Sequence, residues 1–394
     1  MRTYSELFAL PGFRALFVNR LLVISSISMS GLALSTIVYD STGSTFLTAL
    51  AMFGGPLITL FGSVTVLGAS DTVGPRAAMT GMCLVAAVVA ALQMAPALPW
   101  PVRFLLLAIP YAVNSAFGGT VIRLLRGIVD DDSFVLGRAT LNIAVGLMQV
   151  VGYALGGTLL QWFSASVLFG IASGLALLAA AAARLRLTEQ PATQSRKRLV
   201  GRTNEVNRAL LGSRVTRPLF LAAWVPHGLV VGCEALFVPY AGPAVAGYLF
   251  AATAAGMLLG DVVIGRFTPT RTRDRLIVPL RFLLALPFLG FLLGPPVPIA
   301  LALAFVASIG YAAALPLQDR LVRTDAAVSG QVFGLLGNGV MTGQALGAML
   351  GGLVATWFGP TLTMGAMAAL PAVVSLALVL PLRRSATGAT PVAG

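Results

Sequence analysis

Charge is what this sequence has least of. Only 10% of its 394 residues are Asp, Glu, Lys or Arg, and 57% are hydrophobic, with a mean hydropathy of +0.91. A soluble globular domain carries roughly 25% charged residues. This chain cannot coat itself with water-facing charge, so its natural solvent is lipid. The 13 acids are scarcer than the 26 bases and are scattered. A membrane enzyme acting on lipid or prenyl substrates needs clustered acids, or a nucleophile with a base, at one membrane face. Asp130, Asp131 and Asp132 form the one acidic run. A magnesium-diphosphate site would need a second cluster to hold the metal, and the sequence has none. The run is expected to cap and complement the helix that follows. Cysteine is nearly absent: Cys83 and Cys233 both lie in apolar runs, which indicates neither a disulfide framework nor a metal site. No cofactor and no enzymatic activity are expected, and no cleavable leader is evident at the N-terminus.

Long apolar runs are abundant. A first set of six lies near 13–38, 45–67, 76–95, 101–125, 134–160 and 164–184, and a second near 216–239, 243–265, 276–294, 296–318, 330–356 and 360–381. Each is close to the ~20 residues a helix needs to cross a bilayer. We number them spans 1 to 12. Sharp turns mark several junctions: DSTGST after span 1, APALPWP after span 3 and GPPVP after span 9.

The net charge of +13 would point to nucleic acid in a soluble protein. Here nearly all the bases are Arg in short loops between apolar runs, the pattern of membrane orientation. Arg2, Arg14, Arg76, Arg123, Arg126, the crowd from Arg184 to Arg217, Arg266 to Arg275, Arg320, Arg323, Arg383 and Arg384 fall on one side if the spans alternate. Arg103 is the clear exception. The positive-inside rule then puts both termini in the cytoplasm of a multi-pass cell-membrane protein. The one long polar stretch, 187–215, is read as a cytoplasmic linker between bundles 1–186 and 216–384, and 385–394 as a disordered tail.

One stretch occurs twice. QVVGYALGGTLLQWF, Gln149 to Phe163, returns as QALGAMLGGLVATWF, Gln344 to Phe358. The shared positions, at one offset close to half the chain, are Gln149/Gln344, Gly152/Gly347, Leu155/Leu350, Gly156/Gly351, Gly157/Gly352, Trp162/Trp357 and Phe163/Phe358. This is one helix used once in each half of a duplicated chain. Glycines four apart clear one helix face for close approach. Such a groove serves packing, and it also serves as a surface on which bundles slide.

After span 2 comes LGASDTVGPRAAM, which resembles the loop G-x-L-x-D-R-x-G-R-[RK] of the major facilitator superfamily. Asp71, Gly74 and Arg76 match its Asp, Gly and last basic position, whereas Leu67, Thr72 and Pro75 depart from it. FGGTVIRLLRGIVDDDSF followed by GYALGG resembles more closely the multidrug and siderophore exporter branch, with Tyr153 where that branch has Pro in span 5. The resemblance implies an all-α membrane protein of twelve transmembrane helices in two pseudo-symmetric six-helix bundles. It also implies a latch at Asp71, Gly74 and Arg76, and a cavity lined by spans 1, 4, 7 and 10.

Charges inside spans carry the functional argument, because insertion scales put them at ~2.5–3.5 kcal/mol each. The candidates are Arg20, Arg138, His227, Glu234 and Asp261. Trp224, His227, Val231 and Glu234 follow 3-4-3 spacing and share a helix face. Glu234, Asp261 and His227 are the proton-coupling candidates. Asn19, Arg20, Ser26, Ser30, Tyr111, Asn114, Ser115, Trp224, His227, Glu234, Ser308 and Tyr311 are the cavity candidates, although interhelical hydrogen bonds explain some of them equally well. Gly152, Gly156, Gly157, Gly347, Gly351 and Gly352 join the latch residues as gating candidates. The expected function is proton-coupled efflux of a small amphipathic molecule by alternating access. An importer or uncoupled facilitator is the alternative within transport. The expected partners are the substrate, protons and the lipid bilayer, with no nucleic acid and a monomeric chain.

Overall fold

The computed structural model describes residues 3–59, 73–189, 200–324 and 329–387, which are almost entirely helical. Among the described residues, nine helical stretches are long and apolar enough to cross a membrane, or ten with the pair Trp100–Phe117 and Thr120–Ile128, bent by 45°. One of these stretches is really two helices. Gly359, in the left-handed region at φ 73°, with Pro360 behind it, breaks Ser329–Ala377 into spans 11 and 12. That accounts for eleven spans. Span 2 begins as Thr45–Phe53 and continues helically at 55–59 before leaving the described residues.

The remaining spans are Pro11–Thr42 (1), Pro75–Gln93 (3), Trp100–Phe117 with Thr120–Ile128 (4), Asp131–Leu159 (5) and Ala165–Arg186 (6). In the second half they are Arg217–Glu234 continued by Phe237–Ala241 (7), Pro243–Val262 (8), Thr270–Ala285 with Leu286–Leu293 (9) and Val297–Ile309 through Thr324 (10). Proline opens the first turn of spans 1, 3, 4, 7 and 10, where its missing N–H costs nothing. Asp130 holds the N-cap position of span 5 in extended backbone, but its side chain makes no cap hydrogen bond. The stretch read as a linker contains the helix Val200–Gly212. Residues 190–199 and the tail from 388 lie outside the described residues.

Arg103, the exception to the arginine pattern, has a structural role. It is buried, with Nη1 on Gln93 O at 2.8 Å and on Gln93 Oε1 at 3.2 Å, Nη2 on Ala95 O and Nε on Leu98 O. Gln93 Nε2 donates back to Arg103 O. The guanidinium caps the Gln93 carbonyl at the C-terminal end of span 3 and ties down the turn that follows it. Its charge answers the helix end rather than the membrane potential.

The contacts divide the chain into two compact units, Met1–Gly43, Gly54–Ser195 and Ala241–Ala251 against Ser44–Phe53, Arg196–Tyr240 and Ala252–Gly394. In unit 1, span 1 packs on spans 5 and 6, and span 3 on spans 4 and 6. Leu7, Phe13, Leu16, Met79, Leu124, Leu125 and Ala183 form its core at the arginine-rich end. The first turns of span 8 also belong to this unit. Gly247 lies on Gly157, the rings of Phe250 and Tyr153 are 5.2 Å apart, and Tyr248 Oη meets Thr158 Oγ1 at 3.0 Å.

In unit 2, span 7 packs on spans 11 and 12, and span 9 crosses the 3₁₀ turn of span 10. Leu219, Phe220, Ile277, Leu317, Leu321 and Leu336 form its core. The start of span 2 belongs here, with Thr45 Oγ1 donating to Gly352 O at 2.7 Å and Gly352 seated on Phe46 and Ala49. The glycine doublet therefore has two jobs in each copy. Gly156 and Gly351 face the spans of their own half, at Leu32 and Gly232, while Gly157 and Gly352 take the exchanged segment.

Candidate functional site

Span 10 is regular over Val297–Ile309, then tightens into a 3₁₀ turn at Gly310–Ala313. Gly310 permits this, because its Cα sits against Leu280 O and the Leu284 backbone of span 9, where no side chain fits. A 3₁₀ turn inside an α-helix loosens the carbonyls around it and often marks a functional position. Tyr311 sits on that turn, 5% exposed.

Two residues of span 7 converge on Tyr311. Its hydroxyl donates to Glu234 Oε1 at 2.8 Å. Its carbonyl meets His227 Nε2 at 3.1 Å, and the two rings lie 5.3 Å apart, edge to face. A carbonyl only accepts, so Nε2 carries the hydrogen of that bond. His227 is 2% exposed and Glu234 5%, and Glu234 is the only buried carboxylate among the described residues. His227 and Glu234 lie on one face of span 7 with buried Val231 between them. Trp224 turns instead toward span 11, its Nε1 donating to Leu336 O at 3.1 Å and its ring lying against Gly339.

Asp261 is exposed near the end of Pro243–Val262 and has no hydrogen bond or ion pair to the Glu234–Tyr311 contact. Ser308 is buried against Gly256, with no partner for its hydroxyl among the described residues. In unit 1, Asn19 Nδ2 donates to Ala179 O at 2.8 Å and Ser26 Oγ to Ala172 O at 2.8 Å, so both bind span 1 to span 6. Arg20 is half-buried, its Nε without a partner among the described residues. Ser30 is half-buried, the Tyr111 ring covers Gly55, Asn114 is exposed, and Ser115 Oγ donates to Ala112 O. Of the latch residues, Asp71 lies outside the described residues, Gly74 caps span 3, and Arg76 pairs with Glu189.

Sequence reasoning missed Arg281. It lies inside the run assigned to span 9 and is fully buried. Its signal in the sequence is a charge within an apolar run, close behind the arginines of the preceding loop. The reasoning also missed Gly228 and Gly232, a G-x-x-x-G on span 7 that faces the repeated glycines of span 11.

No protein-family model and no curated protein matches the sequence. Solved structures do match. The chain is similar to a peptide transporter POT crystallised with sulfate, at 15% identity over 98% of this chain and 99% of that one, TM-score 0.70. It is similar to a POT family transporter in complex with 5-aminolevulinic acid, at 13% identity over 95% and 96%, TM-score 0.68. A third match comes from work on substrate recognition in proton dependent oligopeptide transporters, at 13% identity over 95% and 99%, TM-score 0.69. At these identities the likeness is one of fold: an all-α membrane protein of the twelve-helix major facilitator type.

Proposed function

We propose that the chain is a secondary active transporter that moves a small molecule by alternating access, driven by a proton carried on Glu234. The carrying observation is the buried Glu234 carboxylate hydrogen-bonded to Tyr311 across spans 7 and 10. Burial away from water disfavours a lone carboxylate charge. A group held this way, on a surface that alternately meets each side, is suited to load a proton on one side and release it on the other. Tyr311 orients the carboxylate, and His227 holds the Tyr311 backbone in register with span 7.

Two readings of substrate and direction compete. Efflux of a small amphipathic molecule has the support of the stretch from Phe117 to Gly157 alone. Transport of a small peptide-like molecule has the support of the structural neighbours, two of which are named for peptides and one for its complex with 5-aminolevulinic acid. The second reading draws on similarity over nearly the whole chain, and we favour it.

The test is flux in proteoliposomes under imposed pH gradients, with di- and tripeptides in one arm and amphipathic cations in the other. Glu234→Gln keeps shape and hydrogen bonding but cannot titrate. It is expected to retain exchange while losing uphill, pH-driven flux. Wild-type pH dependence in that variant removes Glu234 from the coupling step. Cytoplasmic termini are part of the proposal: a cysteine at Ser195 should label from the cytoplasm and one at Thr42 from outside, and the reverse pattern defeats that orientation.

A further inference from the structure

We propose that the turn between spans 8 and 9 binds an anionic phospholipid, with Arg271 and Arg275 on the headgroup phosphate and an acyl chain along Leu259, Val263 and Phe267. The site lies within unit 2. It goes beyond the transport reading and holds whichever substrate is carried.

Span 8 ends in a π turn, Val263–Phe267, and only Thr268 and Pro269 separate it from the helix Thr270–Ala285. Arg266, Arg271, Arg273 and Arg275 crowd this short stretch. Arg273 turns inward. Its Nε donates to Thr268 O at 2.7 Å, its Nη2 to Gly265 O, and its Nη1 to Asp319 Oδ2 at 3.5 Å. Those bonds fix the turn and tie it to span 10. Helix residues two apart point to nearly opposite sides, whereas residues four apart are neighbours. Arg271 and Arg275 therefore share the face turned away from span 10. Both are exposed, and neither makes an ion pair, hydrogen bond or ring contact among the described residues.

Nothing nearby in the fold accounts for this pair. Cations in the opening turns of a helix oppose its dipole, and no acid stands in the first turn to offset them. Arg184 and Arg186, by contrast, close span 6, where the dipole favours them. The acids at this end of unit 2 are engaged elsewhere, Asp319 with Arg273 and Asp274 with Arg320. Asp261 stands two residues from both Leu259 and Val263, so it points to the other side of span 8.

Two guanidinium groups four residues apart suit a phosphate. Each is planar, permanently charged and able to donate two parallel hydrogen bonds to its oxygens. Span 8 supplies the apolar half. Leu259, Val263 and Phe267 are exposed at a spacing of four, which makes one ridge along the helix. Phe267, 70% exposed, stands at its foot beside exposed Arg266. An apolar ridge running into a cluster of cations matches a molecule whose acyl chain ends in a negative headgroup. A water-soluble anion leaves the ridge unused.

The experiment compares wild type, Arg271→Gln with Arg275→Gln, Phe267→Gln, and Arg184→Gln with Arg186→Gln as the control that removes the same charge elsewhere. Each is taken from vesicles of phosphatidylglycerol and phosphatidylcholine in equal parts, and the lipid that stays bound is read by native mass spectrometry. Melting temperature is read with each lipid added, and with inorganic phosphate added. Wild type should hold phosphatidylglycerol in preference to phosphatidylcholine. An arginine near an anionic surface is worth about fivefold, so the Arg271, Arg275 double variant should lose roughly thirtyfold of that preference. Phe267→Gln should hold less of both lipids and keep the preference, and the span 6 control should behave as wild type. Should the double variant not fold, Arg271→Gln and Arg275→Gln singly decide, each losing about fivefold. A wild type without preference overturns the proposal. Equal losses in the two double variants overturn it too, since they report diffuse surface charge. Stabilisation by inorganic phosphate as strong as by phosphatidylglycerol makes the site one for a free anion and overturns the lipid assignment. Wild-type lipid retention in Phe267→Gln removes the acyl ridge from it.

Discussion

The same glycine repeat builds two different seams. In unit 1, Gly152 of span 5 faces Ser25 and Ser28 of span 1, and Gly156 faces Leu32. Glycine lies on one side only, and the opposing side chains have some freedom to adjust. In unit 2, Gly347 and Gly351 of span 11 face Gly228 and Gly232 of span 7, glycine on glycine, with backbone against backbone. The units differ in the same sense in their polar interiors. Apart from the guanidinium capping span 3, the buried polar groups of unit 1 among the described residues are uncharged: Asn19, Ser25, Ser26, Ser28, Ser35 and Thr36 among them. Unit 2 buries Glu234, His227 and Arg281. The glycine-on-glycine seam lies beside the ionisable groups, since Gly228 follows His227 and Gly232 stands two residues before Glu234 on span 7.

The largest expected effect breaks this comparison at the seams. A methyl at Gly347 would overlap the Gly228 carbonyl oxygen, which cannot move without span 7. Gly347→Ala should cost ~3 kcal/mol or more, and Gly347→Leu should abolish folded yield. A methyl at Gly152 would lie 2.9 Å from Ser28 Cβ, where a small helix shift suffices. Gly152→Ala should cost nearer ~1 kcal/mol. Thermal unfolding of the purified variants followed by size exclusion ranks them, and equal losses would mean that the two seams are mechanically alike.

A smaller effect separates the polar interiors. Tyr311→Phe leaves Glu234 without its donor, at ~1–3 kcal/mol for a buried unsatisfied group. It should also blunt pH-driven flux more than exchange. Ser26→Ala removes one neutral bond to Ala172 O, worth ~0.5–1.5 kcal/mol, and should leave the pH dependence of flux unchanged. Comparable loss of pH-driven flux in both would move the coupling role away from unit 2 alone.

The smallest effects lie at the arginine-rich ends. In unit 1 Arg76 pairs there with Glu189, the latter 52% exposed. In unit 2 Arg273 pairs with Asp319 at 3.5 Å and Arg320 with Asp274 at 3.0 Å, and the same arginines bond Thr268 O, Gly265 O and Leu382 O. Glu189→Gln should cost well under ~1 kcal/mol, since exposed pairs are screened. Asp274→Asn with Asp319→Asn should cost more, up to ~1 kcal/mol or slightly above, because the same arginines also hold three backbone carbonyls in a network. Melting temperatures at low and high salt separate the two cases: the double variant should lose the salt sensitivity that Glu189→Gln retains.

Most of the fold was legible because a membrane imposes one length and one composition on every crossing helix. Run length placed eleven spans within a few residues, and Gly359 with Pro360 ended span 11 just past the second Trp-Phe pair. Less of the site was legible. The 3-4-3 spacing brought His227 and Glu234 to one face, yet nothing in it named Tyr311 as the residue both would meet. Asn19 and Ser26 read as cavity polar groups and prove to be bonds to the backbone of span 6, a backbone with no signature in side-chain pattern.

By itself the sequence determined that the chain lives in lipid, that its bases are nearly all arginines gathered in the stretches between apolar runs, and that one glycine-rich helix is used twice. Each of these is a property of composition or period, which survives without knowledge of neighbours. Only the tertiary structure decided what each glycine faces, that Arg103 caps a helix end, and that a 3₁₀ turn on span 10 offers Tyr311 to Glu234. Those facts depend on which helices lie side by side. The period of a helix tells which residues share a face, and packing alone tells what that face touches.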